Sequence, residues 1–235
     1  MKGKVLVMKS KPLKFDNCST IDCGDFQSPI EIQPNCAIEM QDQGEILLNY
    51  DRTFISIDDK EDTIKVHNDE SGFVIINGRK FQLSEFHFHV GDKDKEQNES
   101  EHVLVGHCYK MELHLVHKSQ VGRIAVLSVF FKIGCVNSAI QTILDNINKK
   151  KGVTNTIDID IKQLLPHETI YYHYLGSLTT NGFIENVEWY VFEEPIEMSQ
   201  EQYNIFKTRY SGNVRCIQNL NGRKILKKKI KLFTK

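Results

Sequence analysis

The feature that most constrains the fold is a series of short runs rich in Val, Ile, Phe and Thr, at residues 45–48, 53–57, 63–67, 73–76, 81–89, 111–117 and 124–131. Each run is bounded by Gly, Asn, Asp or Lys, a pattern that predicts strands joined by turns. Helical signals are fewer and come later. Ile140, Ile143, Leu144 and Ile147 recur at i, i+3, i+4 and i+7, which places them on one helical face. Ser199, with Gln202 three residues on, reads as a capping box opening a second helix through Tyr203 and Phe206 to Gly212. Residues 145–155, rich in Asn and Lys, read as the end of the first helix and a surface loop. The expected class is mainly β (α+β). No repeat or Pro/Gly-rich linker divides the 235 residues, so one domain is expected over 1–235.

Composition narrows the function classes. A hydrophobic content of 40% and a charged content of 26% are those of a soluble globular chain. Thirty Lys plus Arg against 31 Asp plus Glu remove any global electrostatic case for nucleic acid or an anionic membrane. The Lys-rich stretch 223–235 reads as a solvated end. No run approaches the roughly 18 apolar residues of a membrane helix, and the patch Val5-Leu6-Val7-Met8 is too short for a signal-peptide core. Six cysteines, with no C-x-x-C among them, offer neither a thiolate zinc knuckle nor a redox pair. They are expected to be buried reduced thiols, and a cytoplasmic location is expected with them.

Three histidines stand out. Within Phe86-His87-Phe88-His89, two imidazoles lie at i and i+2 of a strand-like run and project from one face. His114, 25 residues after His89 in a second such run, faces them if the two strands pair antiparallel. Three neutral imidazoles with one position open describe a catalytic zinc site rather than a closed structural one. An H-x-H pair alone is more often two half-exposed histidines, and it is the neighbours that single this one out. Glu112, two residues before His114, can accept the proton on the imidazole's other nitrogen and so fix the ligating tautomer. Val116, two residues beyond His114, offers an apolar wall, while His117 is out of phase and reads as structural.

Eight stretches occur in one order along the chain: Gln27-Ser28-Pro29-Ile30, Phe86-His87-Phe88-His89, Ser100-Glu101-His102, Glu112 to His117, Ala125-Val126-Leu127, Leu164-Leu165-Pro166, Leu175 to Thr180 and Val187-Glu188-Trp189. In these the chain resembles the α-class carbonic anhydrases, from about residue 23 to about residue 230. The resemblance implies a large twisted, mostly antiparallel sheet with surface helices, and Zn2+ at the floor of a conical cavity, held by His87, His89 and His114. It implies a lyase whose substrates are carbon dioxide and bicarbonate, interconverted by reversible hydration with release of a proton. Thr179 then corresponds to a gatekeeper hydroxyl, with Glu101 accepting from it. A hydroxyl whose proton is committed to a carboxylate can only accept from the attacking nucleophile, whose lone pair is left aimed at substrate. Thr180 would flank bicarbonate. Val116, Val126, Leu178, Val187 and Trp189 resemble the apolar pocket for carbon dioxide, although ordinary core packing explains these five equally well.

The departures from the family pattern concern the proton route and the loop. Asp62 takes the place of the family's proton-shuttling histidine, with His67 nearby. An Asp ordinarily titrates near 3.9, too acidic for an efficient relay at neutral pH, so slow proton transfer is expected. Glu85 stands where the family usually has glutamine, on the face of His87, and a carboxylate there should make the metal less effective at acidifying water. The family's Thr-Thr-Pro-Pro reads Thr179-Thr180-Asn181-Gly182, without the rigidity of two prolines. Secreted members link a cysteine near Cys23 to one just after this loop, where Phe183 stands, so that bridge is expected to be absent. Related domains that have lost ligand histidines serve as adhesion or glycosaminoglycan-binding modules, some displayed on viral surfaces by a C-terminal anchor. Retention of all three histidines and of Glu101 with Thr179 favours the enzyme.

Overall fold

A computed structural model describes residues 24–41, 45–50, 52–59, 63–68, 72–92, 100–147 and 155–232. Its dominant element is a 13-stranded mixed sheet, mainly antiparallel. Along its main path lie Asn155–Asp160, Arg52–Asp59, Ile64–Asn68, Arg79–His89, Met111–Lys118, Ile124–Ile133, Glu185–Phe192, Glu168–Ser177, Leu226–Lys231 and Ile38–Glu39. Met111–Lys118 is central and buried at every position but Lys118, which is why its sequence is a nearly unbroken apolar run interrupted only by groups with internal partners. Alternation along the strands gives the sheet two different faces. On one, Phe86, Phe88, Leu113, Leu115, Leu127 and Val129 join the main core. On the other, Val116, Val126, Val187 and Trp189 form a second apolar cluster.

Both expected helices form. Ser138–Asp145 buries Ala139, Ile140 and Ile143, and Asn137 caps it by accepting from the Ile140 N–H. Gln200–Tyr210 opens on the expected Ser199/Gln202 capping box and packs Phe206 on Phe88, with ring centroids 4.9 Å apart. The first helix stops at Asp145, so Ile147 is buried just beyond it rather than on its face. No helix among the described residues is long and apolar enough to cross a membrane.

One element is added to the sequence expectations, and two expectations are corrected. Residues 155–160, beyond the loop expected over 145–155, form a strand at the sheet edge that the apolar runs did not single out, with Ile157 and Ile159 alternating inward between polar neighbours. The Lys-rich stretch is not a solvated end. Leu226–Lys231 pairs with Glu168–Ser177, and Lys227, Lys229 and Lys231 form ion pairs with Glu39 and Glu168. Among the described residues the cysteines are not buried thiols either: Cys36, Cys108 and Cys135 are free but exposed, and Cys216 is held in a disulfide.

His117 projects into the main-core face, as its phase implied, and its Nε2 bonds the Tyr50 hydroxyl in a fully buried pair. Burial lowers its pKa from the ordinary 6.5 to about 4, so the folded protein keeps it neutral while the unfolded chain takes up a proton. Stability contributed by this residue is therefore present above about pH 6.5 and is lost as pH falls toward 4. Over that window the loss should approach about 3 kcal/mol. Urea unfolding at stepped pH should show this slope, and a His117→Asn variant should flatten it.

Candidate metal centre

The antiparallel ladder between Arg79–His89 and Met111–Lys118 sets His87 opposite His114 and His89 opposite Glu112. Directly opposed residues share a face of a sheet, so the three imidazoles are brought together by register alone. Ring centroids lie 5.0 Å apart for His87 and His89, 5.5 Å for His87 and His114, and 4.5 Å for His89 and His114. One ring nitrogen from each lies within 4.8 Å of the others, a spacing that can hold a metal ion.

Outward-facing partners fix the rings. His89 Nδ1 lies 2.8 Å from the Asn213 carbonyl oxygen, to which it donates, and His114 Nε2 lies 2.8 Å from Glu112 Oε1. Each bond commits one nitrogen as a donor and leaves the other as a lone-pair acceptor. His89 Nε2 is left buried without a hydrogen-bond partner. An orphaned buried nitrogen is costly unless something satisfies it, and a divalent cation would. Burial lowers the pKa of His87 well below 6.5, helped by His89, His114 and Lys65, and lowers that of His114 in the same direction. His87 and His114 are thereby held in the neutral form that a metal requires.

A second group, His102, Glu112 and His114, also has ligand-like spacing, but its atoms already satisfy one another. Glu112 Oε1 accepts from His102 Nδ1 at 2.7 Å, His114 Nε2 at 2.8 Å and Ser128 Oγ at 2.6 Å. Its Oε2 accepts the His102 N–H at 2.7 Å, and His102 Nε2 meets the Tyr174 hydroxyl at 2.7 Å. Burial raises the Glu112 pKa, yet attraction to His102 and the hydrogen bonds from His102 and His114 prevail and hold it well below 4.5. This network is a support for the triad, with no free lone pair to offer.

Glu101 is buried beside the triad, its Oε1 3.3 Å from His89 Nδ1 and its Oε2 3.9 Å from His114 Nδ1. Oε1 accepts the Arg215 N–H at 2.9 Å. The Thr179 side chain interacts with the same carboxyl, while Glu101 Oε2 has no hydrogen bond of regular geometry. Burial raises the Glu101 pKa, and attraction to His114 and the contacts from Thr179 and Arg215 work against that rise. A dication among the histidines would lower it further. Of the five apolar positions, Val116, Val126, Val187 and Trp189 share one cluster with Leu178 packed against it, and Trp189 meets His114 edge to face at 4.8 Å. Thr180 is exposed at the loop tip.

The added charge expected from Glu85 is compensated. Lys65 Nζ lies 2.6 Å from Glu85 Oε2, because Lys65 is paired opposite His87 on the neighbouring strand. Glu85 Oε1 is 3.8 Å from His87 Nδ1. The same ladder sets His67 opposite Glu85 and hence on the triad's face, where it is exposed and 4.0 Å from Asp58. Asp62 lies outside the described residues. A separate cavity of about 770 Å3, lined by Lys80, Gln82, Lys118 and Arg123 among others, sits at two hairpin ends and includes none of the histidines.

Sequence reasoning did not single out Asn213, Arg215, Ser128 or Lys65. Asn213 and Arg215 act here through backbone atoms, for which side-chain patterns carry no signal.

The family profile of the eukaryotic-type carbonic anhydrases matches residues 11–229. The chain belongs to the eukaryotic-type carbonic anhydrase family. A carbonic anhydrase of Nostoc sp. is 34% identical over 208 residues, covering 86% of this chain and 76% of the relative. One from Neisseria gonorrhoeae is 32% identical over 217 residues, covering 91% and 80%. Among solved structures, the α-carbonic anhydrase of Thermovibrio ammonificans, in complex with the inhibitor sulfanilamide, superposes with a TM-score of 0.78 at 36% identity, covering 86% of this chain and 87% of that one. Carbonic anhydrases hydrate carbon dioxide reversibly, and membership carries that lyase activity as the general expectation here.

Proposed function

We propose that this carbonic anhydrase works through zinc held by His87, His89 and His114. The observation that carries the reading is the convergence of three buried imidazoles, two with their outer nitrogens bonded to Asn213 and Glu112. When bound, zinc supplies a Lewis acid that makes water a competent nucleophile near neutral pH. The chain's own residues do the rest. Glu112 and the Asn213 carbonyl orient His114 and His89. Glu101 accepts the hydrogen bond of the Thr179 hydroxyl, leaving the Thr179 oxygen as an acceptor that turns the nucleophile toward substrate. Val116, Val126, Leu178, Val187 and Trp189 provide a wall for carbon dioxide, which has no charge and little hydrogen-bonding capacity. Thr180, exposed beyond the gatekeeper, flanks the departing bicarbonate. Lys65 offsets Glu85, so the metal's acidifying power is spared the penalty a lone carboxylate would impose.

Proton release is the slow step in this reading. Asp62 is a poor relay at neutral pH, and His67 is solvent-exposed on the triad's face with Asp58 beside it. Added imidazole buffer should therefore raise turnover severalfold at pH 7, read by stopped-flow carbon dioxide hydration, and a buffer-independent rate contradicts the assignment. The Cys216 disulfide favours an oxidising compartment over the cytosol. The deciding experiment follows hydration activity as metal is stripped by a chelator and returned as zinc. Activity should vanish and come back in proportion to bound zinc; activity that survives stripping refutes the proposal.

A further inference from the structure

The loop that follows the gatekeeper lacks the family's two prolines, yet it is closed at several points. Leu178 N–H donates to the Ile184 carbonyl at 2.9 Å across its base, and Phe183 N–H donates to the Thr180 carbonyl at 3.0 Å around its tip. Gly182 has φ of 101°, open to glycine at little cost, but Phe183 has φ of 42°, which an aromatic residue adopts only when its surroundings impose it. Arg215 packs against this residue. Its guanidinium carbon lies 3.7 Å from the Phe183 ring centroid. Its Nη1 donates to Gln27 Oε1 at 2.9 Å and to the Ser28 carbonyl at 2.8 Å, tying the guanidinium to the chain beside Ser177. Gln27 Nε2 in turn donates to the Phe183 carbonyl at 3.3 Å. Through its backbone N–H, the same Arg215 holds Glu101 Oε1 at 2.9 Å.

Arg215 therefore touches both groups that locate Thr179: the carboxyl it interacts with, and the loop that leaves it. We propose that Phe183 is a positioning residue, whose ring, stacked under Arg215, holds the loop so that the Thr179 hydroxyl stays in register with Glu101. The stack ties a turn that contains Gly182 and no proline to the chain beside Ser177. This inference rests on the gatekeeper role proposed for Thr179.

The test compares Phe183→Leu, Phe183→Ala and Phe183→Tyr in the zinc-loaded protein. The readouts are kcat/KM, zinc content and amide hydrogen exchange at Leu178 and Phe183 or its replacement. Loss of the stacked ring should cost roughly tenfold in kcat/KM and speed exchange at both amides by about as much. Zinc content should be unchanged, and Phe183→Tyr should stay within about twofold of the parent on both readouts. Unchanged exchange in Phe183→Leu overturns the proposal, as does an activity loss that Phe183→Tyr shares. A parent protein inactive toward carbon dioxide would sink the functional reading instead, while the exchange measurement would still report on the stack.

Discussion

Replacing Glu112 with alanine is expected to cost a large part of the protein's stability. Its carboxylate is wholly buried and receives four hydrogen bonds, from His102 Nδ1, the His102 N–H, His114 Nε2 and Ser128 Oγ. Truncation leaves four buried donors unpaired, each costing about 1–3 kcal/mol. Even the lower bound, about 4 kcal/mol, is a large part of a typical total of about 5–15 kcal/mol. The measurement is urea unfolding of the metal-free chain at pH 7, which keeps ligand loss out of the comparison. A loss below about 1 kcal/mol would contradict the network as drawn. Glu112 also has a pH signature. Because its folded pKa is depressed below 4.5, its contribution is complete above that value and lost as pH falls through the folded pKa. Acid should thus act in two stages, His117 first and Glu112 below it.

The second large effect is on metal. His89→Ala should weaken zinc binding by about 10^2- to 10^3-fold, taking each donor's share of protein zinc affinities of about 10–16 kcal/mol as roughly 2.5–4 kcal/mol. Hydration activity at any fixed free zinc concentration should fall in proportion to zinc occupancy. The informative control is a neighbouring histidine: His117→Gln should leave zinc affinity within about twofold, because that ring faces the main core and bonds Tyr50. Competition against a chromogenic chelator measures both. Equal losses in the two variants would mean that folding, rather than coordination, had been disturbed.

Much of this was legible in the sequence because the fold turns periodicity directly into geometry. The placement of His87 and His89 at i and i+2, of Glu112 two residues before His114 and of His117 out of phase needed only the assumption of paired strands, and the register sets these side chains on the faces that it implies. The capping box at Ser199 was likewise a purely local pattern. Failures came where the deciding partner was distant in the chain. Glu85 looks like an added charge until Lys65 is seen across the ladder. Leu226–Lys231 looks like a solvated end because its lysines find partners on the adjoining strands. Glu168–Ser177 hides its apolar alternation behind tyrosine and histidine, whose polar tips are satisfied by contacts such as Tyr174 with His102 and Ser28. Loss of the two prolines reads as loss of rigidity until Arg215, 32 residues beyond Phe183, is found stacked upon it.

The most direct test of the account is anomalous diffraction at the zinc edge from crystals of the zinc-loaded protein, because two groups of side chains have metal-like spacing and share His114. The account requires a single peak among His87, His89 and His114, with the His102 and Glu112 hydrogen bonds intact. A peak on the His102–Glu112 side, or none at full zinc loading in solution, would contradict it.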